Sequence, residues 1–86
     1  MKEFDFVVKN EEGLHARPAG ILSKEAKKYE STITITNEKG KSAVVTKLIA
    51  VMALGVKCGQ TVNVKVEGPD EDAVFEEVKK FFEENF

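Results

Sequence analysis

Thr32-Ile33-Thr34-Ile35-Thr36-Asn37-Glu38-Lys39-Gly40-Lys41-Ser42-Ala43-Val44-Val45-Thr46 decides the fold class. Ile33 and Ile35 fall on one face with threonines between them. Asn37 to Gly40 supplies turn residues before a further strand through Ala43, Val44 and Val45, so residues 32–46 read as a β-hairpin. The same period of two recurs upstream in Phe4, Phe6 and Val8, and downstream in Val62, Val64 and Val66. Polar residues between the apolar ones mark a sheet covered on one side only, because the strands of a buried parallel sheet are apolar throughout. An antiparallel α+β layer is therefore expected.

Elsewhere the spacing becomes helical. Ala19, Leu22, Ala26 and Tyr29 lie at i, i+3, i+7 and i+10, with Lys24, Lys27 and Lys28 on more polar sides, which predicts an amphipathic helix. A second stripe of Val74, Phe75, Val78, Phe81 and Phe82 follows Pro69-Asp70-Glu71-Asp72, whose acids suit a helix amino terminus. Leu48-Ile49-Ala50-Val51-Met52-Ala53-Leu54 has no polar face at all. Thr46 or Lys47 stands where a helix cap belongs and Gly55 where a helix stop belongs, which favours about two helical turns over a buried strand. Such a helix cannot turn every side chain towards a one-sided sheet, so Leu48, Ile49 and Met52 are expected to reach solvent in part. The competing reading places all of them in the core. The order is βαββαβα, with three helices on one face of a four-stranded antiparallel sheet.

The chain of 86 residues is expected to form one domain, residues 1–86, which excludes a two-domain enzyme. Hydrophobic residues make up 42% and charged residues 33%, a balance that folds and does not stay disordered. No apolar run approaches a membrane span, and the first residues lack the apolar centre of a signal peptide, so no membrane insertion and a cytoplasmic location are expected. Cys58 has no cysteine partner, and one histidine plus one cysteine cannot supply a zinc site; no metal and no cofactor are expected. Net charge is -2, but residues 70–86 hold seven acids against Lys79 and Lys80, leaving eight acids against eleven bases in residues 1–69. That basic excess is weak for nucleic acid and suits an acidic protein surface. Gly40-Lys41-Ser42 resembles the end of a nucleotide-binding P-loop, but Ile35 stands where its first glycine belongs.

Gly13-Leu14-His15-Ala16-Arg17-Pro18-Ala19-Gly20 places the only histidine and the only arginine two residues apart at a helix entrance. Pro18 is tolerated only in the first turn, so the helix begins between Ala16 and Pro18; the restriction on residues preceding proline, taken alone, leaves Arg17 outside. Free N–H groups, the positive end of the helix dipole and the guanidinium fork of Arg17 are the parts of a phosphate holder. A cationic imidazole is disfavoured there, which keeps the ring neutral and nucleophilic. The bland readings are a capping or surface histidine, a surface ion pair for Arg17, and a solvated edge for Lys24 and Lys27.

Gly13-Leu14-His15-Ala16-Arg17-Pro18-Ala19 resembles the active-site motif of the histidine-containing phosphocarrier (HPr) family of the phosphoenolpyruvate sugar phosphotransferase system. Val51-Met52-Ala53-Leu54-Gly55 resembles that family's second signature, so the likeness spans essentially the whole chain. The resemblance implies an open-faced β-sandwich. It implies that His15 accepts the phosphoryl group on Nδ1 from phosphorylated enzyme I, that Arg17 assists it, and that IIA domains of sugar permeases receive it. It also implies a docking surface of Ala16, Gly20, Leu48, Ile49 and Met52, edged by Lys24 and Lys27 facing acidic partners. A phosphoryl carrier of this kind is not an independent catalyst, and its small size and docking role suit a monomer. One departure stands out: Lys47 occupies the position where many Gram-positive members carry a kinase-regulated serine, and Thr46 and Ser42 do not match it, so no serine switch is expected. A regulatory interaction module, or the carrier of a dedicated, for example nitrogen-related, phosphorelay, is the alternative. An independent small enzyme ranks last, for want of a second acid/base partner.

Overall fold

Alternating side chains build one sheet. The structure, a computed structural model describing residues 1–86, forms β1 (Lys2–Val7), α1 (Ala16–Ala26), β2 (Thr32–Thr36), β3 (Ser42–Val44), α2 (Leu48–Met52), β4 (Thr61–Glu67) and α3 (Glu71–Asn85). The strand order is β1-β4-β2-β3 and every pairing is antiparallel. Because β4 lies between them, β1 and β2 run in the same direction one strand apart, and α1 crosses from one to the other.

The register sorts the faces as the sequence period requires. Phe4 opposes Val64, Phe6 opposes Val62, Ile33 opposes Val66, and Ile35 opposes both Val64 and Ala43. All of these pack in or against the core, which Leu22, Ala26, Val74, Val78 and Phe82 complete from the helices. Phe82 is fully buried and meets Phe4 and Phe6 edge-on at 5.9 and 5.5 Å between ring centres. Truncating such a residue costs about 3–5 kcal/mol. The other face is polar: Asn63 donates to Glu3 and Asp5, each at 3.0 Å, and Lys65 opposes Glu3 and Thr34. The α+β open-faced arrangement is the one expected.

Two boundaries differ from the sequence reading. Tyr29, placed in the helical stripe, lies past the end of α1, where a turn from Tyr29 N–H to the Ala26 carbonyl ends the helical ladder. Periodicity counts positions and is blind to where the hydrogen bonds stop, so Tyr29 still packs on the core. α2 is one short helix with Ala53 and Leu54 in a closing turn, and it stops where Gly55 takes a φ of 62°. Its N-cap is Lys47, which has no side-chain acceptor to cap it. The reading that buries residues 48–54 throughout is overturned: Val51 and Leu54 are buried, Leu48 is half-buried, and Ile49 and Met52 are 87% and 38% exposed. No helix is long and apolar enough to cross a membrane.

Candidate functional site

The loop from Val8 to His15 brings the histidine to the start of α1. Gly13 has a φ of 70° and lies against the Val56 carbonyl, which accepts the Leu14 N–H at 3.3 Å; a side chain at Gly13 would strike that carbonyl. Leu14 is buried beside it, so the chain emerges at His15 in a fixed place. His15 is the N-cap residue in extended conformation, and its carbonyl accepts the first bond of the helix from Ala19 at 3.2 Å. Arg17 is inside the helix. Packing overrides the restriction that Pro18 places on the residue before it, and Pro18 is itself buried in the first turn.

This geometry leaves two amides unpaired. Pro18 has no N–H, and neither Ala16 nor Arg17 N–H finds a backbone or side-chain acceptor. The His15 side chain does not cap them, and the first turn holds no acid. Glu12, His15, Ala16 and Arg17 line a depression of about 290 Å³ over this end. Arg17 is exposed and forms no ion pair, so its fork is free for an arriving anion. The ring of His15 is 24% exposed, open on one side and backed by Phe86, whose ring centre is 6.4 Å away, edge-on. Two opposite charges bracket the imidazole: the positive helix end, and the carboxylate of Glu12, with Oε2 3.9 Å from Nδ1. The sequence reading weighed only the first.

The proposed docking residues fall into two groups. Arg17, Gly20, Lys24, Lys27 and Leu48 line one groove together with Ile21 and Thr46. Gly20 faces α2, with Leu48 Cδ2 an ordinary contact of 3.8 Å from where a Cβ would stand, and the buried Ser23 hydroxyl donates to the Thr46 carbonyl at 3.0 Å, tying α1 to the entrance of α2. Ala16 lies in the depression beside His15, while Ile49 and Met52 stand on the solvent side of α2 outside the groove. Neither Lys24 nor Lys27 has an acidic partner. The surface is thus apolar in the middle and basic at its edge.

Four residues of this region escaped the sequence reading. Ile21 is 51% exposed beside Gly20 and Lys24, a position the one-turn spacing from Arg17 points to. Phe86 is buried, and the spacing of four from Val78 through Phe82 carries the α3 stripe to it. Asn10 and Glu12 touch the imidazole by way of a loop, where no periodicity exists to find them. No three histidine, cysteine or acidic side chains converge to hold a metal ion.

Known proteins are similar to this chain in sequence and in fold. The family described as "PTS HPr component phosphorylation site" matches residues 2–84. Phosphocarrier protein HPr of Mycoplasma genitalium is 34% identical over 85 residues, covering 99% of this chain and 97% of that protein. The multiphosphoryl transfer protein of Vibrio cholerae is 45% identical over 73 residues, which are 83% of this chain and 18% of that longer protein. The crystal structure of HPr-C-His from Thermoanaerobacter tengcongensis superposes with a TM-score of 0.87 at 34% identity, covering 96% of this chain and 92% of that one.

Proposed function

The chain belongs to the HPr family, the phosphocarrier component of the phosphotransferase system, and we propose that His15 is its phosphoryl acceptor and Arg17 its phosphoryl-stabilising partner. It carries the group and is not an independent catalyst. The observation that carries the residue assignment is the pair of unpaired amides beside a partly exposed imidazole, in a helix turn free of acids. A phosphoryl group on the ring presents its oxygens to the Ala16 and Arg17 N–H groups and to the guanidinium, and these stabilise charge without having to reorganise.

The donor in this reading is phosphorylated enzyme I and the acceptors are IIA domains, met in the cytoplasm by a single domain acting as a monomer. Ala16, Gly20, Leu48, Ile49 and Met52 form the apolar centre of the contact. Lys24 and Lys27, unpaired, speed the encounter with acidic partners. Lys47, exposed at the entrance of α2, brings a positive charge to the place of a regulatory serine. That favours a second reading, in which the carrier serves a dedicated phosphorelay without kinase control.

Incubation with enzyme I and phosphoenolpyruvate tests the acceptor. An acid-labile, alkali-stable phosphate is expected on the wild type and none on His15→Ala; a label that persists in the variant overturns the assignment. If the protein is instead a binding module, His15→Ala keeps normal partner binding and Met52→Asp alone abolishes function.

A further inference from the structure

We propose that Asn10 is a positioning residue that sets the tautomer of His15, placing the proton of the neutral ring on Nδ1 and the lone pair on Nε2. Two groups whose hydrogen-bonding role cannot be reversed flank the Asn10 amide. The N–H of Glu12 can only donate, and it meets Asn10 Oδ1 at 2.8 Å. The carbonyl of Asn85 can only accept, and it meets Asn10 Nδ2 at 3.4 Å. Both partners therefore fix the same orientation of the Asn10 amide, oxygen towards Glu12 and nitrogen towards Asn85. That nitrogen also lies 3.3 Å from His15 Nε2. An amide nitrogen has no lone pair to offer, so Nε2 must be the acceptor and the ring proton of the neutral form resides on Nδ1.

Asn10 is itself anchored. The Phe86 carbonyl oxygen accepts both the Lys9 N–H, at 2.6 Å, and the Asn10 N–H, at 2.7 Å. Phe86 is 4% exposed and its ring packs on Phe81 and Phe82 while facing the edge of His15. The end of α3 thus holds the amide that holds the imidazole.

Resting on the carrier reading with Nδ1 as the acceptor atom, this arrangement has a chemical consequence. A ring nitrogen that carries a hydrogen has no in-plane lone pair, so the resting tautomer cannot attack through Nδ1. Nε2 first takes up a proton from solvent and Nδ1 releases its own, after which the Nδ1 lone pair forms the bond to phosphorus while the donor's bond to phosphorus breaks and its electron pair stays with the donor. Glu12, whose Oε2 is 3.9 Å from Nδ1, faces the proton that Nδ1 releases once Nε2 is protonated. Asn10 therefore holds the resting ring in the form that does not attack, and its hydrogen bond to Nε2 is given up for transfer and regained when the phosphorylated ring sheds its Nε2 proton. Once phosphorylated, the ring becomes a better leaving group when Nε2 gains a proton, and Asn10 competes with that proton for the lone pair.

Nitrogen-15 NMR of the imidazole in the unmodified wild-type protein, above the titration of the ring, needs no variant and is the primary test. Nδ1 protonated and Nε2 bare is the expected pattern; Nε2 protonated overturns the proposal. Asn10→Asp, which puts an acceptor where the donor stood, is expected to move the proton to Nε2, and an unmoved proton in the folded variant counts against Asn10. In Asn10→Ala the phosphorylated form is expected to hydrolyse roughly fivefold faster, about the worth of one neutral hydrogen bond, while an unchanged lifetime removes the role after transfer. Should the ring show the expected tautomer but take no phosphate from phosphorylated enzyme I, the carrier assignment fails and the positioning role of Asn10 stands.

Discussion

The two long helices begin with opposite charge in their first turns. At α3, Asp70 is the N-cap and Glu71 and Asp72 follow, and each is engaged: Asp70 accepts from the Ser31 hydroxyl and the Glu30 N–H, Glu71 from Gly68 N–H and the Met1 ammonium, and Asp72 pairs with Lys2 at 3.2 Å. At α1 the first turn has no acid; at both ends the N-cap side chain bonds no helix amide and two N–H groups lack partners, those of Ala16 and Arg17 in α1 and of Asp72 and Ala73 in α3. Both ends carry the same positive dipole. One is neutralised by the chain's own anions and fastens α3 to the sheet; the other is left for an anion that arrives and departs. The function of this protein is thus written in what the start of α1 omits.

Making α1 start like α3 is the sharpest way to break the contrast. Ala16→Asp puts a carboxylate into the vacant turn, and phosphoryl transfer from phosphorylated enzyme I is expected to fall by about 10²–10³-fold. Thermal unfolding is expected to show the helix held or stabilised by about 0.3–1 kcal/mol. Transfer at the wild-type rate would mean that the open turn is incidental. Arg17→Lys keeps the charge but loses the planar fork; a loss of roughly tenfold, or about 1.4 kcal/mol of barrier, is expected in the same assay. Equal activity of the two proteins would reduce Arg17 to a point charge.

The α3 end is sharpened by acid. The Ser31 hydroxyl chiefly, with the Glu30 N–H, holds Asp70 below its ordinary 3.8, and the Met1 ammonium chiefly, with Gly68 N–H, holds Glu71 below 4.5. Depressed values mean that the stability these groups contribute is present above the ordinary values and is lost as pH falls through the folded ones. The Asp70→Asn, Glu71→Gln double variant is expected to be the less stable protein at neutral pH and to lose less on acidification, as followed by circular dichroism; parallel acid transitions would refute this. The smallest effect is alkaline. Tyr29 donates to Glu77 on α3 at 2.8 Å, and burial first, then that bond, pushes the phenol up from 10.0 to about 12. A raised value means stability present below 10.0 and lost as pH rises through about 12, so the wild type is expected to weaken over that span while Tyr29→Phe lacks this component.

How far the site was legible follows from how local each signal is. Gly13 to Gly20 states its own chemistry, because a histidine, an arginine and a first-turn proline within one helix entrance need no distant residue to be recognised. Leu48 to Leu54 announced a conflict between apolar content and a one-sided sheet, and the solvent-facing Ile49 and Met52 resolve it as foreseen. Glu12 and Asn10 were illegible: a loop has no period, and their contacts with the ring depend on how residues 8–15 are folded over the end of α3. The neutral-ring argument considered the helix end alone for the same reason.

Side-chain periodicity, cap and stop residues and the position of Pro18 are properties of neighbours in the chain, and together they were enough to indicate four one-sided strands, three helices and the place of His15. Which N–H groups stay unpaired, which side of α2 meets solvent, and which nitrogen of the imidazole is held by Asn10 were decided only when residues far apart in the chain came into contact, as Lys9 and Asn10 do with Phe86. Hydrogen-bond roles belong to pairs of groups, and a pair exists only after the chain has closed on itself.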